Sequence, residues 1–205
     1  MKVGIVMELQ REALEDNISI ESLMRKAYLV ARKLNLEEFE EWINQEQNGY
    51  KGQVPEYRYI AGEIKAWNPY YGWIPMVLSA DIADMISKMP IPTSISELQD
   101  VYNTSDSTVG LAVNAKLTEW FNENMDYMPT KYQFFFHKSE LYRIMSTVRN
   151  KILDWALLLD ENGIVGEGMT FTDVEKKTAQ NTQVINNYTN NFFGEVSDID
   201  VQQGK

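Results

Sequence analysis

The chain is sparsely equipped for covalent chemistry. His137 is its only histidine, and it has no cysteine. One imidazole and no thiol leave no multi-histidine zinc site, no cysteine nucleophile and no paired-histidine nuclease. His137 stands at the end of the apolar run "YQFFFHK", as a lone general base or as an ordinary partly buried histidine. It is the one catalytic candidate. In "LEEFEEWI", Glu37, Glu38, Glu40 and Glu41 could together hold Mg²⁺, a cation that prefers hard oxygen ligands. They surround Leu36, Phe39 and Trp42, however, and acids around an apolar stripe are what the solvated side of an amphipathic helix looks like. The glycine-rich "GIVGEG" at 163–168 follows a helical pattern and precedes no long helix. A phosphate loop needs a strand before it and a helix N-terminus after it, so this is read as a helix cap and loop. No metal or cofactor is expected.

A second kind of chemistry is recognition by aromatic rings. Tyr57, Tyr59, Trp67, Tyr70, Tyr71 and Trp73 crowd one stretch, with Lys51, Arg58 and Lys65 as the nearest cations. Such rings could stack bases, or pack on their own hairpin. "NPYYG" at 68–72 has turn chemistry of its own: Pro69 opens the turn and Gly72 takes the positive φ. The packing reading has Trp67 and Trp73 flanking the turn and pinning the hairpin onto helices, with Tyr70 or Tyr71 exposed at its tip. These four are the binding candidates in the body of the chain.

The elements that position these residues follow from periodicity. Residues 3–47 read as helices: Leu23, Met24, Ala27, Val30, Ala31 and Leu34 form one apolar stripe. Asn35 is expected to cap the third helix with Glu38 reaching back, and Asn48-Gly49 to end it. "EYRYIAGEIKAW" reads as a strand and "WIPMVL" as its partner, with Pro75 at an edge or bulge. Short helices are expected at about 80–88 and 95–102, the second opened by the capping box Ser94-Ile95-Ser96-Glu97. "VYNTSDSTVG" reads as a loop, "LAVNAKLTEWF" as a helix, and "YQFFFHK" as a third strand beside the hairpin. The longest helix is expected at about 140–161, and "TDVE" at 172–175 caps a last short one. The fold class is α+β and mostly helical: N-terminal helices, a small antiparallel hairpin or three-stranded sheet, a long C-terminal helix and a β-prone tail.

Composition bounds the setting. The 205 residues carry 44% hydrophobic side chains, enough for a core, and 30 Asp and Glu against 19 Lys and Arg, a net charge of −11. That balance repels phosphate backbones, so nucleic acid is not an expected partner. With no cysteine, no signal-peptide core and no membrane-length apolar run, the chain is expected in the cytoplasm. The sequons at Asn17, Asn103 and Asn187 are then chance matches.

Residues 1–179 are read as one globular domain and 180–205 as a polar tail, in which nine of 26 residues are Asn or Gln. "QVINNY", "NNFFGEV" and "DIDVQQG" alternate apolar and polar residues as strands do. Tails from several copies, or from a partner with a similar ending, are expected to assemble into shared β-structure and make an oligomer, a homo-oligomer in the first case; the alternative is a disordered tail. Phe192, Phe193, Ile199, Val201, Gln202 and Gln203 are the candidate contacts.

Three stretches together carry a resemblance: "ELQREALEDNISIESLMRKAYLVARKLNLEEFEEWINQEQNGY", "VPEYRYIAGEIKAWNPYYGWIPM" and "VRNKILDWALLLDENGIVGEGMTF". They resemble the bacterial AbiTii domain family, over most of residues 3–175, and the Trp-Asn-Pro-aromatic-aromatic-Gly-Trp-Ile-Pro stretch is the most specific part. The ending resembles Gln-Ile-Gln-Gln-Gly-type tails, with Val201 in the isoleucine place and Lys205 where Ser or Thr is usual. The resemblance implies a role in abortive-infection phage defence, with another defence protein or a phage protein as a partner, and brings no catalytic residues. The functional expectation is a non-enzymatic interaction or oligomerisation module. The alternative is a toxin enzyme acting on nucleic acid or nucleotide, using His137, Tyr57, Arg58 and carboxylates.

Overall fold

The computed structural model describes residues 3–125 and 128–181. The tail strands and their candidates Phe192, Phe193, Ile199, Val201, Gln202 and Gln203 lie outside the described residues. In chain order the first elements are α1 (Ile5–Leu14), α2 (Ile20–Leu34), α3 (Glu37–Asn48), β1 (Tyr59–Ala61), β2 (Glu63–Asn68) and β3 (Gly72–Pro75). There follow α4 (Ala80–Met85), β4 (Lys88–Pro90), α5 (Ile95–Thr104), β5 (Thr108–Ala112) and α6 (Ala115–Asn124). The last are β6 (Tyr132–His137), α7 (Ser139–Glu161) and α8 (Asp173–Asn181). This is the mostly helical α+β class expected. The described residues divide into two compact units, one holding 3–56, Pro92–Leu98 and 145–181, the other those of Tyr57–Ile91 and Gln99–Ile144.

The first unit is built on apolar helix faces. Ser19 caps α2 by accepting from Ser22 N at 3.1 Å, and the stripe from Leu23 to Leu34 is fully buried. Phe39 of α3 stacks on Trp155 of α7 at 3.9 Å between ring centroids. Asn35 does not cap α3. It ends α2 in the left-handed conformation (φ 56°), where Leu36 N reaches Ala31 O at 3.0 Å and Asn35 N reaches Arg32 O at 3.3 Å. That double closure is the Schellman pattern, and the two-residue link Asn35-Leu36 puts Leu36, not Asn35, at the N-cap position of α3. The other local signals hold. Gly49 ends α3 at φ 86°, and Ser94 Oγ accepts from Glu97 N at 3.3 Å while Glu97 Oε2 accepts from Ser94 N at 3.0 Å.

The second unit is a sheet with strand order β3-β2-β6-β5, every pair antiparallel. β6 adds to the hairpin as expected, and Pro75 sits in the edge strand. The stretch 56–67 is not one strand. It breaks at Gly62, which packs so closely that a Cβ would lie 2.4 Å from Phe135 O, and β1 pairs with β4 instead. The expected loop at 101–110 is also replaced: α5 continues to Thr104, and Thr108–Ala112 forms β5, a fourth strand. Five residues containing a glycine show too little alternation for β5 to be read without its partner. α6 then starts late, at Ala115, with Asn114 Oδ1 accepting from Leu117 N at 2.8 Å.

Candidate functional site

Strand register sorts the sheet into two faces. Ile64 opposes Phe134, Ala66 opposes Tyr132 and Val109 opposes Phe136, and all six are buried. Trp67 opposes Trp73, Lys65 opposes Gln133, Gly110 opposes Phe135 and Thr108 opposes His137, and none of these eight is buried. The outer face is therefore aromatic and polar at once. Trp67 and Trp73 meet edge to face at 5.2 Å, Trp73 and Phe135 at 5.4 Å, and Lys65 Nζ lies 5.3 Å from the Phe135 ring centre. Lys65 also pairs with Glu63 at 2.9 Å.

The expectation that the two tryptophans pin the hairpin onto helices is overturned. Trp67 is 42% exposed, because its odd-numbered side of β2 is the solvent side. The turn is as expected: Asn68 Oδ1 accepts from Tyr70 N at 2.9 Å and Tyr71 N at 3.1 Å, and Gly72 takes φ 74°. Both tyrosines stand out at its tip, 90% and 82% exposed. Beside Trp73 an open depression of about 390 Å³ is lined by Ala112, Thr118, Thr130, Lys131, Tyr132 and Gln133. Hence the structure gathers Trp67, Trp73 and His137 on one face and sets Tyr70 and Tyr71 at the hairpin tip. Sequence reading missed Phe135, Gln133 and Lys131 as members. Only the two-residue alternation of 131–137 carried that signal, and it could not say which face is wet.

His137 is exposed, not partly buried. Its Nδ1 accepts from Ser139 N at 3.2 Å and lies 2.8 Å from Ser139 Oγ. It thus serves as an acceptor for one of the free amides opening α7. Of the alternative enzyme set, Arg58 is fully buried, its Nη1 3.5 Å from Ile91 O. Among the described residues no three His, Asp or Glu side chains are placed to hold a metal ion. On α3, Glu40 accepts from Arg32 at 2.8 Å and Glu41 from Gln45 at 2.9 Å.

The glycine-rich loop does present amides to an anion, but the anion belongs to the chain. Glu175 Oε1 accepts from Val165 N at 2.8 Å and Gly166 N at 2.9 Å. Its Oε2 accepts from Thr172 N at 2.7 Å and Thr172 Oγ1 at 2.9 Å, completing the expected capping box. Burial pushes this carboxyl up, but the amides of Gly166, Thr172 and Val165 and the Thr172 hydroxyl outweigh it and hold it below the usual carboxylate range. Burial likewise lowers Lys151 against the attraction of Glu46 and Asp154, while Glu46 accepts from Tyr50 Oη at 2.6 Å.

Fold and site together define a mostly helical α+β protein whose sheet turns a mixed aromatic and polar face to solvent. The chain belongs to the AbiTii family, which matches residues 4–184 and is associated with bacterial abortive infection, a phage defence. No curated protein and no solved structure matches it. No described helix is long and apolar enough to cross a membrane.

Proposed function

We propose that the chain acts in phage defence as a non-enzymatic interaction module. The observation that carries this reading is the solvent face bearing Trp67, Trp73 and Phe135, extended by the exposed Tyr70 and Tyr71. Tryptophan and tyrosine dominate binding hot spots because they bury much surface at little entropic cost. By contrast His137, the one candidate base, is engaged at a helix start. The tail from residue 180 on serves as an oligomerisation element in the same reading.

A plaque assay tests it. The Trp67→Ala/Tyr70→Ala/Tyr71→Ala variant should lose protection while circular dichroism shows a folded chain, and His137→Ala should keep protection. The reverse pattern would favour the enzyme. Truncation after residue 181 should lower the native mass by light scattering while leaving the helical signal of the body; an unchanged mass refutes the oligomerisation role.

A further inference from the structure

We propose that the outer face of the sheet binds a single strand of nucleic acid, with bases stacking on Trp67 and Trp73 and phosphates meeting Lys131. The proposal rests on the interaction-module reading and names its ligand. The fully buried core of a protein–protein interface is depleted of charged residues such as Lys65. Here Lys65, Gln133 and His137 are interleaved with the rings on the same face. An extended single strand suits that mixture: its bases offer π faces and hydrogen-bonding edges, and its phosphates accept from cations.

Charge had argued against nucleic acid, but the acid excess is not spread evenly. Residues 57–91 and 99–144, the unit that holds the sheet, have seven Lys and Arg against nine Asp and Glu. The whole chain has 19 against 30, so the remainder has 12 against 21. The repulsion of the net charge therefore resides mostly elsewhere. Among the described residues of the face itself the one acid, Glu63, is paired with Lys65 at 2.9 Å. Lys131 is exposed on the rim of the depression beside Trp73, and among the described residues its side chain has no ion-pair partner.

Fluorescence polarisation of labelled twelve-nucleotide thymidine and uridine strands, with the full chain at low salt, tests this. Wild type should bind and its tryptophan emission should be quenched, while a duplex of the same length, its base faces hidden, should bind more weakly. Trp67→Ala should weaken binding roughly 5- to 150-fold, the loss expected for one stacked base. Lys131→Gln, a surface change that leaves the core untouched, should lower the slope of log affinity against log salt by about 0.7. No binding by wild type, or binding that both variants leave unchanged, overturns the proposal. Self-association abolished by Trp67→Ala, without strand binding, overturns it in favour of a second copy on this face. If Trp67→Ala abolishes phage protection although wild type binds no strand, the ligand is wrong and the module reading survives.

Discussion

Replacing Glu175 should uncouple the C-terminal part of the first unit from α1. Its carboxylate takes three backbone amides and one hydroxyl at 2.7–2.9 Å. The loop it holds then offers Gly166 O to Ile5 N at 3.1 Å and Val165 O to Val6 N at 3.3 Å, so one side chain supports the start of α1 indirectly. Hydrogen bonds to a charged group contribute ~1.5–3 kcal/mol each, but this site is partly exposed and water replaces part of what is lost. We expect Glu175→Ala to cost ~2–4 kcal/mol, and Glu175→Gln ~1–2 kcal/mol because the amide nitrogen faces donors it cannot accept from. The pH dependence has a definite sign. The folded carboxyl is held below its ordinary value of 4.5, so its stabilisation is complete above that value and disappears as pH falls through the lowered one. Urea unfolding of wild type and Glu175→Gln should show a constant gap from about pH 7 to 5 that closes in more acid solution. A gap under ~0.5 kcal/mol at neutral pH, or one that does not close, refutes the reasoning.

Two further expectations separate core from surface. Trp155→Ala should cost ~3–5 kcal/mol, since the ring is fully buried and stacked on Phe39, while Trp67→Ala should cost only ~0.5–1.5 kcal/mol as a loss of cross-strand ring contact. Thermal melts that rank the two equally would contradict the face assignment. Gly62→Ala should destabilise by ~1–3 kcal/mol or more, because its Cβ would meet Phe135 O at 2.4 Å and the Phe134 ring at 2.6 Å. An unchanged melting temperature would mean the strand break is not held there by steric contact.

By itself the sequence determined those features whose forces act within about one turn of chain. The α2 stripe, the capping boxes at Ser94 and Thr172, the stop at Gly49 and the Asn68–Gly72 turn each depend on groups a few residues apart. Tertiary structure decided the rest. Asn35 suits a helix start and a left-handed helix end equally well, and only the closeness of α3 to α2 selects the second. β5 has no identity until β6 supplies its hydrogen bonds. Alternation along β2 separates Ile64 and Ala66 from Lys65 and Trp67, yet a period of two is symmetric between faces. Which face is wet depends on what covers the other, a long-range matter that set Trp67 in solvent and Phe134 in the core. Glu175 shows the same division: its bond to Thr172 is local and readable, but the amides of Val165 and Gly166 reach it only when the loop folds back.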